Sequence, residues 1–157
     1  MIRPFNSFSL SLENAAELLG AERKNFSDLS FTGLTHKDSE VEPGDIFLAF
    51  PGAKTHGAQF IDGALNRGAV AVLTDTAGAE LSTSLPTLIV KDVREAGATL
   101  ASHFYRAPIR DMQSIGITGT NGKTTVTTLL YQLFMSVGRE AGLIGTVETR
   151  IGSERIK

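Results

Sequence analysis

The chain has 157 residues, enough for one ordinary domain or one domain and part of another. Its 15 basic and 17 acidic residues leave a net charge of −2, which argues against a nucleic-acid binder, whose contact face is clearly basic. No uninterrupted apolar run approaches the ~20 residues of a membrane-spanning helix, and the absence of cysteine excludes a disulfide scaffold or a thiolate metal site.

The opening stretch, MIRPFNSFSLSLENAAELLG, has no continuous apolar core and no small-residue cleavage signal, so a cytoplasmic protein without a signal peptide is expected. Ser11 before LENAAELLG predicts a short helix with Ser11 as N-cap and Gly20 as its stop. LSFTGLTH (29–36) reads as a short strand running into a polar loop. VEPGDIFLAFPG predicts a Pro-Gly turn, an apolar strand over 46–50 and closure at Pro51-Gly52. In GAQFIDGALNRGAVAVLTD, Phe60, Ile61, Ala64 and Leu65 recur at helical spacing, Gly68 ends the helix, and 69–73 forms a buried strand. PTLIVKD repeats the strand signal, and VREAGATLASHFYRAP predicts a helix stopped before Pro108. Strands alternating with helices define an α/β fold, with a mostly parallel sheet covered by helices. The polar, Pro-containing RAPIRDMQ (106–113) marks a boundary between residues 1–110 and 111–157.

Beyond the boundary the pattern predicts one β-α-β unit: strand 114–117, loop 118–123, helix 124–137 and strand 142–147. The helix carries Leu129, Leu130, Leu133, Phe134 and Val137 on one face. The loop lies within SIGITGTNGKTTVTTLL. Small residues there let backbone N–H groups turn inward around a polyphosphate, and the following helix points its positive end at the same place. Lys123 then reaches the β- and γ-phosphates, and the Thr124 hydroxyl ligates Mg²⁺. The strict pattern G-x-x-x-x-G-K-[ST] is missed by one position: Ile117 stands where the first Gly belongs, with Gly116 and Gly119 on either side. The alternative is a Gly-rich turn with no ligand and a solvated lysine. The apolar strand leading in and the amphipathic helix leading out favour the phosphate cradle.

His56, between Thr55 and Gly57, reads as a polar turn residue rather than a catalytic base. His36 and His103 read as structural, and the three histidines lack paired ligand spacing, so no zinc site is expected.

GITGTNGKTT resembles the phosphate loop of the Mur ligase family, ATP-dependent enzymes that add amino acids to the peptidoglycan precursor. PGDIFLAFPGAKTHGAQFIDGALNRGAVAVL is similar to that family's P-G-D-L-F-V-A-L-x-G…G-x-x-F-I…A…G-A-x-A-x-L signature, and GLIGTV (142–147) is similar to its MurE type. The resemblance runs from about residue 34 to residue 150. It implies a UDP-sugar-binding N-terminal domain over 1–110 and the start of a Rossmann-like, P-loop ATP-binding domain over 111–157. The implied activity is ATP-dependent amide ligation through an acyl phosphate. It would join the third amino acid, meso-diaminopimelate or L-lysine, to UDP-MurNAc-L-Ala-D-Glu.

Carried over residue by residue, the resemblance assigns ATP to Gly119, Thr120, Asn121, Gly122, Lys123, Thr124 and Thr125. Lys123 is then the catalytic cation on the phosphates and Thr124 the ligand of the Mg²⁺ cofactor. The UDP-sugar falls to Asp38, Ser39, Lys54 and Thr55. Many members have Asp-Ser-Arg where this chain has Lys37-Asp38-Ser39. An anionic Asp38 beside a diphosphate needs Lys37, Lys54 or a metal ion for compensation, or else Ser39 takes the role.

In the family, further Mg²⁺ ligands, a carbamylated lysine and the amino-acid pocket come from later parts of the protein. The chain is therefore expected to be an N-terminal piece of such a ligase, inactive alone. The UDP-sugar and the amino acid are partners of the whole enzyme, with no nucleic-acid or membrane partner. The helix face of Leu129, Leu133 and Phe134 would then lack its sheet, so self-association through helix 124–137, or disorder of 124–157, is expected. The alternative is a stand-alone P-loop nucleotide-binding module without ligase chemistry.

Overall fold

The computed structural model describes residues 8–81 and 84–156, and the chain divides after Asp111 into two compact units. The first opens with a short strand β1 (Leu10–Ser11) that runs directly into helix α1 (Leu12–Leu19). The Ser11 hydroxyl accepts the Asn14 N–H at 3.1 Å, and Gly20 closes the helix in the left-handed conformation. Both ends of this helix match the sequence expectation.

There follow β2 (Glu22–Lys24), β3 (Ser30–Phe31), β4 (Gly33–Thr35), β5 (Asp45–Leu48), α2 (Ile61–Asn66), β6 (Ala71–Thr74), α3 (Thr76–Leu81), β7 (Thr87–Ile89) and α4 (Val93–Phe104). Five strands form one sheet in the order β2-β7-β6-β5-β4. β4 to β7 are parallel, and β2 lies antiparallel on the edge beside β7. β1 pairs antiparallel with β3 in a separate ribbon.

The apolar runs in β5 and β6 have a simple cause. Successive residues of a strand point to opposite faces, and here both faces are covered. Ile46, Leu48, Ala71 and Leu73 pack on the side of α1 and α4, with Leu12, Ala15, Leu100 and Phe104. Phe47, Ala49 and Val72 pack on the other side, with Ile61 and Ala64 of α2. A parallel sheet buried on two sides needs continuous rather than alternating hydrophobicity. α4 is held at its start by Asp92, whose carboxylate accepts the N–H groups of Arg94 and Glu95 at 2.9 and 3.0 Å.

Two features of this unit depart from the sequence reading. Where one short strand running into a polar loop was expected over 29–36, the chain forms two strands, β3 and β4, broken at Thr32, whose N–H bonds to the Gly44 carbonyl at 2.9 Å. The chain thereby leaves the ribbon with β1 and joins the sheet beside β5. β2 (ERK) and α3 (TAGAEL) carry no apolar period, so pattern reading passes over both.

The second unit holds α5 (Lys123–Ser136) and the strands β8 (Gly142–Ile144), β9 (Thr149–Ile151) and β10 (Glu154–Ile156). Its topology corrects the expected β-α-β arrangement. Residues 114–117 pair with no strand among the described residues. β8 runs antiparallel to β9, and β9 to β10. A strand is defined by its ladder partner, and the hairpin supplies one within a few residues, closed by the Gly145 N–H on the Glu148 carbonyl at 3.0 Å. Gly152-Ser153 between β9 and β10 is the turn signal in the sequence.

α5 turns Tyr131 inward: its hydroxyl donates to the Gly152 carbonyl, and the Arg150 guanidinium sits 5.6 Å from its ring centre. Leu129, Leu133 and Val137 form an exposed stripe on the helix, 57–65% accessible. No helix among the described residues is long and apolar enough to cross a membrane.

Candidate nucleotide-binding sites

The structure gathers Gly119, Thr120, Asn121, Gly122, Lys123, Thr124 and Thr125 into one exposed junction between loop and helix. Gly122 is the N-cap of α5 and takes φ +78, while Gly119 takes φ +147. A Cβ at Gly122 would meet nothing within 4 Å, so conformation rather than space requires glycine there. No side chain caps α5. Its first bond runs from the Val126 N–H to the Gly122 carbonyl at 2.9 Å. The N–H groups of Lys123, Thr124 and Thr125 therefore have no partner within the helix, at the end where the macrodipole is positive. The Lys123 ammonium folds back over the loop and donates to the carbonyl of Gly119 at 2.6 Å, with a longer contact to that of Thr120 at 3.4 Å. Backbone donors, helix dipole and one exposed cation thus converge on one place. Such an arrangement is chemically suited to an anion with several oxygens.

Asp38 and Ser39 lie in a one-turn 3₁₀ segment, Asp38–Glu40, just after β4. Lys54 and Thr55 lie in the exposed loop that follows β5. Both pairs thus follow the C-terminal ends of adjacent parallel strands, where open α/β sheets take their ligands. Lys37 is tied to Glu40 at 2.9 Å. That hydrogen bond holds the Glu40 carboxyl below its ordinary range, and it commits the charge of Lys37, one of the candidates to offset Asp38. Asp38 itself turns toward α2: its Oδ2 lies 3.1 Å from where a Cβ on Gly63 would stand. Ser39 and Lys54 remain exposed.

Sequence reasoning missed the partner of His56. The imidazole Nδ1 accepts the Ala58 N–H at 3.0 Å, and Nε2 lies 3.1 Å from Asp75 Oδ1. Asp75 Oδ1 also accepts the Gly78 N–H at 2.8 Å. The only signal in TDTAG is an Asp three residues before a Gly, at the start of a helix. His56 is indeed a turn residue, capping the 3₁₀ segment Gly57–Phe60. His36 stacks on Phe50, ring centres 5.8 Å apart, and His103 is exposed on α4.

Burial works to raise the Asp75 pKa, but the Gly78 N–H and the His56 ring together outweigh it and hold the carboxyl below its ordinary value. A depressed carboxyl contributes stability that is complete above its unfolded-state pKa, about 3.9, and is lost as the pH falls through the lower folded value. Asp75→Asn should therefore flatten the acid limb of the stability curve below about pH 4. Urea midpoints measured from pH 2 to pH 6 check this, and parallel acid limbs for the two proteins would contradict it.

The chain thus joins a two-faced parallel α/β unit to a Gly-Lys-Thr loop that opens a helix. A model of the Mur ligase family, catalytic domain, matches residues 30–105, and one of the Mur ligase middle domain matches residues 117–157. The chain belongs to the Mur ligase family. It is 47% identical over 157 residues to the UDP-N-acetylmuramoyl-L-alanyl-D-glutamate--2,6-diaminopimelate ligase of Streptomyces avermitilis, covering 99% of this chain and 31% of that protein. The protein of the same name from Streptomyces coelicolor is 46% identical with the same coverage. The chain thus spans less than a third of the length of these relatives.

Among solved structures, the UDP-N-acetylmuramoylalanyl-D-glutamyl-2,6-diaminopimelate--D-alanyl-D-alanyl ligase from Acinetobacter baumannii shares the fold at a TM-score of 0.67 and 18% identity, over 87% of this chain and 30% of that one. The MurF ligase of Thermotoga maritima, solved in complex with ADP, matches at a TM-score of 0.50 and 31% identity, over 66% of this chain and 23% of that one.

Proposed function

We propose that the protein serves ATP-dependent amide ligation of a peptidoglycan precursor, adding diaminopimelate to UDP-MurNAc-L-Ala-D-Glu. The reading divides the labour: residues 1–110 grip the nucleotide-sugar, and residues 111–157 open the ATP-binding domain. The observation that carries it is the uncapped start of α5, where Lys123 lies across the Gly119 and Thr120 carbonyls. Identity of 47% along 99% of the chain to a relative named for that ligation supports the choice of substrate.

The site suits Mg·ATP. Left-handed glycine at Gly122 leaves the loop free of side-chain bulk, and three first-turn N–H groups are available. Lys123 would exchange its carbonyl contacts for phosphate oxygens, and the exposed Thr124 hydroxyl would hold the metal ion. Bound there, Mg²⁺ would neutralise charge on the β- and γ-phosphates. At the other site Lys54 and Thr55 take the diphosphate. Ser39 supplies the hydroxyl contact while Asp38 stays turned to α2. A cytoplasmic setting, where ATP and nucleotide-activated sugars are available, belongs to the same reading.

Titration calorimetry of the chain with UDP-MurNAc-L-Ala-D-Glu, and separately with Mg·ATP, tests it. Binding of both ligands is expected. Mg·ATP binding without the UDP-sugar would instead favour a nucleotide-binding module with no ligase role. The exposed α5 stripe completes the proposal: the chain self-associates through Leu129, Leu133 and Val137. Sedimentation velocity on the same sample checks this, and a strictly monomeric chain would refute it.

A further inference from the structure

We propose that His56 and Asp75 form a clamp that positions the loop 51–55 for the nucleotide-sugar; this rests on the role given above to Lys54 and Thr55. All five residues of that loop are exposed, so core packing does not order it. Its ends do. The Gly57 N–H donates to the Phe50 carbonyl at 2.8 Å and closes the loop. At its start, Arg94 of α4 lies over the Phe50 ring, 5.2 Å from its centre, and makes a longer contact of 3.4 Å to the Pro51 carbonyl.

At the loop's far end stands His56. Because Nδ1 accepts the Ala58 N–H, the imidazole proton resides on Nε2, which donates to Asp75 at 3.1 Å. Gly78 makes room for the ring: a Cβ there would stand 2.6 Å from His56 Cε1 and 2.0 Å from Thr74 Oγ1. Both ring nitrogens are engaged, so His56 has no free lone pair for acid–base work. It is a positioning residue, a neutral strut joining the loop to the corner between β6 and α3, one strand across the sheet. A loop ordered before binding does not have to be ordered by its ligand, which strengthens binding.

His56→Asn separates the two bonds, because asparagine can still cap Ala58 but is too short to reach Asp75. It should weaken UDP-MurNAc-L-Ala-D-Glu binding about tenfold and lower the NMR backbone order parameters of residues 52–55. Mg·ATP affinity should stay unchanged. Asp75→Asn keeps an acceptor oxygen for both His56 and Gly78 and should bind as the parent does, whereas Asp75→Ala should match His56→Asn. Imidazole ¹⁵N shifts of the parent should report a proton on Nε2 and none on Nδ1. A His56→Asn protein with parental affinity and an equally ordered loop overturns the clamp. If the parent chain binds no UDP-sugar, the functional reading falls, and the order parameters alone then decide the clamp: unchanged values refute it.

Discussion

Lys123→Ala is expected to weaken Mg·ATP binding about 100-fold, or about 2.7 kcal/mol, while leaving the fold intact. The side chain is exposed, and its bonds run to carbonyls of its own loop, Gly119 and Thr120. Removing it therefore opens no cavity and strands no buried group, and stability should change by no more than about 0.5 kcal/mol. Binding is another matter. A charge-assisted hydrogen bond to phosphate is about twice as strong as a neutral one, and the ammonium is the only side-chain cation within the loop 119–125. The remaining attraction comes from the first-turn N–H groups and the dipole of α5, which keep residual affinity measurable. Calorimetry on the variant gives the answer directly. Unchanged affinity would reduce Gly-Lys-Thr to a solvated turn and remove the ATP half of the proposed function.

Phe31→Ala should destabilise the first unit by about 3–5 kcal/mol, a large part of the about 5–15 kcal/mol that holds a typical domain folded. Phe31 is fully buried and stacks on Phe104, with ring centres 5.4 Å apart and planes within 16°. Phe104 in turn meets the edge of Tyr105 at 5.0 Å. The ring belongs to β3, at the point where the chain passes from the β1 ribbon to the main sheet, so the cavity would open beneath both. Phe60→Ala is the control: its ring is 47% exposed, and its loss should cost far less. Urea unfolding followed by far-ultraviolet circular dichroism distinguishes them. Equal midpoints for the two variants would show that the aromatic cluster does not hold this unit together.

The features legible in the residues are those whose physics is local. A hydroxyl three residues before the N–H it accepts made the Ser11 cap readable, and Gly20 marked the helix end. The junction at Gly122-Lys123 was readable for the same reason: a left-handed glycine, an uncapped helix start and a lysine lie within a few residues. Apolar runs marked β5 as a strand and β6 as a buried one, since burial is written into hydrophobicity; the two faces on which they are covered came from the structure.

Partners are a different kind of information. Periodicity says which face of a strand is buried but not which strand lies beside it. The break at Thr32 and the antiparallel meander of β8 to β10 were therefore settled only by pairing in three dimensions. The same holds for side chains. The bond between His56 and Asp75 spans 19 residues, and Asp38 meets Gly63 across a strand and a loop. Such contacts depend on where the sheet brings distant segments, and no residue announces that alone. The sequence by itself determined that a Gly-Lys-Thr loop opening a helix follows an α/β unit; the tertiary structure alone decided which charges are already engaged and which stay exposed, because that depends on distances the sheet and its turns set.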